Sequence, residues 1–183
     1  MILLDPDLDR SATPSRSRPD PVPRLSRPTP SAPRLTRVPS ARSLARFLAE
    51  AQAAVRLRGQ VTVLLTTDAA IRKLNRQFRG IDKPTDVLSF PAADQGSGEV
   101  AGDLAISIPT AKRQAQEQGH SLSMEVKVLI LHGLLHLAGY DHESDAGQMA
   151  RRERVLRGRL GLPQGLIERA SVGPIGARGS GKQ

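Results

Sequence analysis

The stretch SLSMEVKVLILHGLLHLAGYDH, residues 121–142, constrains the chain more than any other. From Ser121 to Gly139 it reads as one long helix, with a serine able to cap its start and a glycine able to turn the chain at its end. Most positions between are apolar, so this is a buried helix and other elements must be built around it. Leu134, Leu135 and Leu137 are core residues that need no functional account.

The same stretch holds three of the chain's four histidines. His132 and His136 are four residues apart, so their rings leave the same helix face one turn apart. Gly139 can adopt positive φ and bring His142 back toward them. Three neutral imidazoles plus a water compose a catalytic zinc site with an open position, whereas structural zinc sites are usually closed by four protein ligands. One Zn2+ held by His132, His136 and His142 is therefore the expected cofactor. Glu125 lies on that face about 10 Å below His132, at 1.5 Å rise per residue, and reads as a packing or second-layer group. The fourth histidine, His120, follows Gly119 and reads as an exposed loop residue.

The spacing matches the zinc-protease pattern H-E-x-x-H-x-x-G-x-x-H at His132, His136, Gly139 and His142, but Gly133 stands where the glutamate should be. That glutamate moves a proton from the zinc-bound water to a poor leaving amine. Without it peptide hydrolysis is disfavoured. Phosphodiester cleavage is permitted, because it needs a cation on the non-bridging oxygens more than that base. A zinc peptidase with Asp141 as its base, and a non-catalytic assembly factor whose metal only holds the fold, are the competing readings.

At 183 residues the chain suits one domain with a real core. It has no cysteine, which excludes disulfides and thiolate ligands and suits a reducing cytosol. MILL is followed at once by DPDLD and no segment reaches membrane-span length, so a soluble cytoplasmic protein is expected. The net charge is +9, but residues 1–40 carry seven arginines against four aspartates and the last thirteen residues add two positives. Charge alone thus favours nucleic-acid binding only modestly.

Residues 10–39 hold eight of the fourteen prolines and are expected to be a disordered Pro/Arg-rich insertion. Residues 1–9 offer a short N-terminal strand, 40–170 the globular domain, and 171–183 a flexible basic tail. Within the domain Ser40 caps a helix carrying Leu44, Phe47, Leu48, Ala51 and Val55. QVTVLLT, DVLSF and DLAISI read as strands. Thr67 caps a helix with Ile71, Leu74 and Phe78 that ends at Gly80, and Pro109 opens another. A last helix, roughly Ser144–Leu160, carries Met149, Leu156 and Leu160 inward. Strands and helices interleave too unevenly for a doubly wound fold, so the expected class is α+β, a single domain with a mixed sheet.

Upstream of the histidines, LNRQFRGIDKPTDVLSFP spans Leu74–Pro91 and clusters Arg76, Arg79 and Lys83. Together with GDLAIS and HGLLHLAGYDH it resembles the bacterial YbeY family of metal-dependent endoribonucleases, over roughly Val61–Leu160. The resemblance implies a zincin-like domain with a cleft over the metal helix. It matches His132, His136 and His142 to the family's zinc ligands, and Arg79 to the catalytic arginine acting on the substrate phosphate. It further implies cleavage of single-stranded RNA in ribosomal RNA processing, notably at the small-subunit 3′ end, a part in ribosome quality control, and the small ribosomal subunit and assembly factors as partners. Asp86 and Asp103 read as structural groups at strand starts. Arg151, Arg152, Arg154, Arg157 and Arg159 crowd the last helix as a solvated face that could extend an RNA path.

Overall fold

The protein was analysed as a computed structural model, and the structure describes residues 1–10, 39–93, 99–141 and 145–163. The expected insertion at 10–39 and tail at 171–183 therefore fall almost entirely outside the described residues. In chain order the elements are β1 (Ile2–Leu4), α1 (Asp7–Arg10), α2 (Ala41–Val55), β2 (Gln60–Thr66), α3 (Asp68–Arg79), β3 (Val87–Pro91), β4 (Val100–Ser107), α4 (Ile108–Glu117), α5 (Leu122–Leu137) and α6 (Gln148–Leu160). No described helix is long and apolar enough to cross a membrane.

The helix starts follow side-chain capping. Ser40, Thr67, Ser107 and Ser121 each accept a hydrogen bond from the backbone N–H three residues on, satisfying a donor the helix cannot pair. The last helix departs from the expected start near Ser144. It begins at Gln148, because the Asp145 carboxylate accepts from the amides of Gly147 and Met149 and so sets the first turn there.

The sheet has the order β1-β2-β4-β3. β1 runs parallel to β2 with Ile2 opposite Val63, β2 runs parallel to β4, and β3 pairs antiparallel with β4. This is the expected mixed sheet of an α+β domain. Alternation along β4 splits the structure into two layers. Leu104 and Ile106 enter the main core with α2 and α5, while Ala105 faces the other way and packs with Ile71 of α3 and Leu88.

α3 and α5 thus lie on opposite faces of the sheet. α3 starts beside the end of β4, where Asp68 accepts from Ser107 and Thr110, and it reaches the end of β3, where Phe78 meets the Phe90 ring edge-on at 5.1 Å. Phe78, grouped by sequence with Ile71 and Leu74, is nevertheless 58% exposed. α5 ends at the same edge of the sheet, its Leu137 against Gly102.

Gly102 makes that edge possible. It follows a register shift between Gln60 and Val61 on the partner strand, and its φ is +145°. A Cβ there would lie 2.3 Å from the Phe90 carbonyl oxygen and 2.9 Å from a Leu137 methyl. Gly102→Ala is expected to cost about 2 kcal/mol or more, read as a fall of several degrees in the melting temperature. Gly80→Asn, at a left-handed helix cap with open space around it, should cost less than about 1 kcal/mol in the same melt.

Candidate metal centre

α5 builds the centre. Twelve of its sixteen residues are buried, so the backbone that carries the histidines is clamped between the sheet and the surrounding helices. One helical turn separates His132 from His136, and their rings meet at 74° with Nε2 to Nε2 only 3.2 Å apart. Two nitrogens bound to one tetrahedral zinc at 2.0–2.1 Å are separated by about 3.3 Å. The pair therefore fits a shared cation without rearrangement.

His132 is buried and His136 partly exposed, so one side of the pair faces the core and the other faces solvent. Beyond the end of α5 a cavity of about 450 Å³ is lined by Gly139, Tyr140, Asp141, Asp145 and Gln148. Gly139 adopts φ +87°, the reversal that the spacing anticipates. His142 itself lies outside the described residues.

The orientation of His132 is set from α6. Its Nδ1 lies 3.4 Å from Oε2 of Glu153, whose other oxygen accepts from Nε of Arg157 at 2.9 Å. Arg157 also donates to the Pro163 carbonyl. A carboxylate on the far ring nitrogen favours the tautomer that leaves the Nε2 lone pair available to a ligand. Burial alone would raise the Glu153 carboxyl, but the hydrogen bonds and charges of His132 and Arg157 outweigh it and hold the group below the usual glutamate value.

Glu153 escaped the sequence reading, which placed only Met149, Leu156 and Leu160 inward. A signal was present, because 149, 153, 156 and 160 recur at helical spacing and put a carboxylate on the apolar stripe. His120 also departs from expectation. It is not an exposed loop residue: its side chain is 14% exposed and its Nε2 is 3.0 Å from Oε2 of the fully buried Glu125. Glu125 is accordingly tied to the N-terminal end of α5, away from the histidine pair.

Gly133 explains the absent glutamate in steric terms. A Cβ at this position would be 2.7 Å from a Leu104 methyl and 3.3 Å from Ser89 Oγ, and the Gly133 carbonyl accepts from that hydroxyl. The side of α5 that would carry the protease base is pressed onto β3 and β4. Asp86 is structural, accepting from the Val87 amide and from Gln114. Asp103 is exposed on the α3 side of β4. Arg79 is exposed in the last turn of α3 beside Arg76, at the sheet edge where α5 also ends but on the opposite face. The structure brings His132 and His136 together on α5, and places Arg79 at the exposed end of α3.

The molecule is thus a single small α+β domain, a mixed four-stranded sheet whose buried central helix carries a close histidine pair. The family description "Endoribonuclease YbeY" matches residues 37–161. An endoribonuclease YbeY of Koribacter versatilis is 54% identical over 132 residues, covering 72% of this chain and 85% of that protein. One of Moorella thermoacetica is 50% identical over 131 residues, covering 63% of this chain and 84% of the relative. A solution structure from Thermotoga maritima matches at 28% identity and a TM-score of 0.47, over 77% of this chain and 96% of that one. The chain belongs to the YbeY family of endoribonucleases.

Gly133→Glu, which restores the protease pattern on paper, should therefore damage the protein and not convert it. Forcing a side chain between Leu104 and Ser89 is expected to cost about 1–3 kcal/mol or more through overpacking. A thermal melt and a casein digest check this, with a lower melting temperature and no peptidase activity as the expected outcome.

Proposed function

We propose that this chain is a zinc-dependent endoribonuclease that cleaves single-stranded RNA during ribosomal RNA processing, including small-subunit 3′-end maturation and ribosome quality control. The observation that carries the reading is the histidine pair, Nε2 to Nε2 3.2 Å apart, on a helix with glycine where a zinc peptidase carries its glutamate. Its family relatives carry the name endoribonuclease, which supports RNA as the substrate. The small ribosomal subunit and its assembly factors are the partners such a role requires, and the cytoplasm is its compartment.

In this reading His132, His136 and His142 hold one Zn2+. When bound, the ion supplies Lewis acidity toward a phosphate oxygen and toward water. The protein's part is to hold His132 Nε2 toward the ion through Glu153, to keep one side of the pair open, and to bring cationic charge to the phosphate. Arg79 is assigned that last role. An Arg fork can span two non-bridging oxygens and stabilise charge as it develops. Peptide hydrolysis is left without a base on α5 itself.

Two outcomes test these assignments. His136→Ala should lose most of its zinc, measured as metal per chain after dialysis, because one ligand of the set is gone. Full zinc occupancy in that variant would remove His136 from the centre. Arg79→Ala should keep the fold and the zinc but lower kcat about 100-fold, near 3 kcal/mol of barrier, with Arg79→Lys recovering only part. Wild-type turnover on single-stranded RNA by Arg79→Ala would move the phosphate role elsewhere, Arg76 first.

A further inference from the structure

The arginines of α6 are not explained by the metal centre or by the core. The helix carries five of them and a single acid, Glu153, which is buried and engaged with His132 and Arg157. Arg157 is buried in that contact. Arg152 donates to the Ala54 carbonyl at 3.1 Å and docks α6 on the end of α2. Arg151, which donates to the Ala146 carbonyl at 3.2 Å, Arg154 and Arg159 are exposed, on the stripe formed with Val155 and Gly158.

We propose that this outer face of α6 is a track for the phosphates of single-stranded RNA leading to the histidine pair, an inference that rests on the ribonuclease reading above. Position carries the first part of the argument. The inner face of α6 touches His132 through Glu153, so the arginine stripe lies about one helix diameter, roughly 10 Å, from the centre. From Arg151 to Arg159 it runs about 12 Å along the axis at 1.5 Å per residue. Exposed Arg56 and Arg58, just past the carbonyl that anchors Arg152, continue the positive surface beyond the helix.

Electrostatics carries the second part. Arg151 and Arg154 are three residues apart, where like charges on a helix repel by a few tenths of a kcal/mol. Arg151 also stands near the helix start, where the dipole disfavours a cation. Three exposed guanidinium groups on one face form a positive surface that a polyanion laid along it would complement. Guanidinium groups suit phosphates in particular, because their forked donors match two oxygens at once. Val155, 64% exposed between the arginines, offers an apolar contact to a base or ribose.

The test uses the full zinc-loaded chain and a labelled single-stranded RNA oligonucleotide, with binding read by fluorescence anisotropy at two salt concentrations and the RNA checked for integrity afterwards. R151Q/R154Q/R159Q should weaken binding at least about tenfold at the lower salt. It should also reduce the slope of log affinity against log salt by about 2, since each single-strand phosphate contact contributes about 0.7. The triple Lys variant should keep most of the slope, separating charge from any effect on folding. Wild-type affinity and slope in the triple Gln variant would overturn the track. So would unchanged RNA affinity with lost retention on phosphatidylglycerol vesicles, which would make the face a membrane contact. Because binding is read without turnover, a protein that binds RNA through the stripe yet cuts none supports the track and overturns the ribonuclease reading alone.

Discussion

The structure depends on the burial of α5. A helix that is apolar around most of its circumference must be enclosed, and here β3, β4, α2, α4 and α6 enclose it. Each leucine, isoleucine or valine it buries contributes about 1.5–3 kcal/mol relative to exposure. The same enclosure leaves the buried His132 ring little freedom to turn. The 3.2 Å spacing of the pair is thus set by the packing of α5, with Glu153 of α6 fixing the His132 ring within it.

Enclosure also carries a cost, because three charged or chargeable groups enter the interior together. His132, Glu153 and Arg157 are all at least nine-tenths buried, and each would be unfavourable there alone. As a chain they satisfy one another, with Arg157 holding the carboxylate and the carboxylate holding the ring. Removing the middle member would strand two groups in a low-dielectric core, so Glu153 matters to the fold as well as to the centre.

Much of this was legible in the residues. Period-2 alternation in β2, the caps at Ser40, Thr67 and Ser121, and the turn at Gly139 are local signals, and local physics decides them. His132 and His136 were legible because helical spacing alone makes them neighbours. Glu153 was missed for the opposite reason. Its partner is 21 residues away in sequence, and the arginines around it make the helix read as a solvated surface. His120 shows the same limit, since a glycine before it suggests a loop but cannot reveal the buried carboxylate that draws it inward. The exposure of Phe78 and the steric block at Gly133 depend on how closely the sheet approaches α3 and α5, which no single segment encodes.

The parallel pairing of β1 with β2 bears on the order in which the molecule assembles. Ile2 meets Val63, so β1 pairs with a strand some sixty residues further along the chain. The equilibrium penalty for so long a span is slight, since doubling a flexible loop adds only about 0.6 kcal/mol. The kinetic penalty is larger, because distant pairings slow folding. β2, β3 and β4 with α3 can nucleate among themselves. Of the three strand pairings, that of β1 with β2 closes the longest span of chain, the kind of contact that forms slowly.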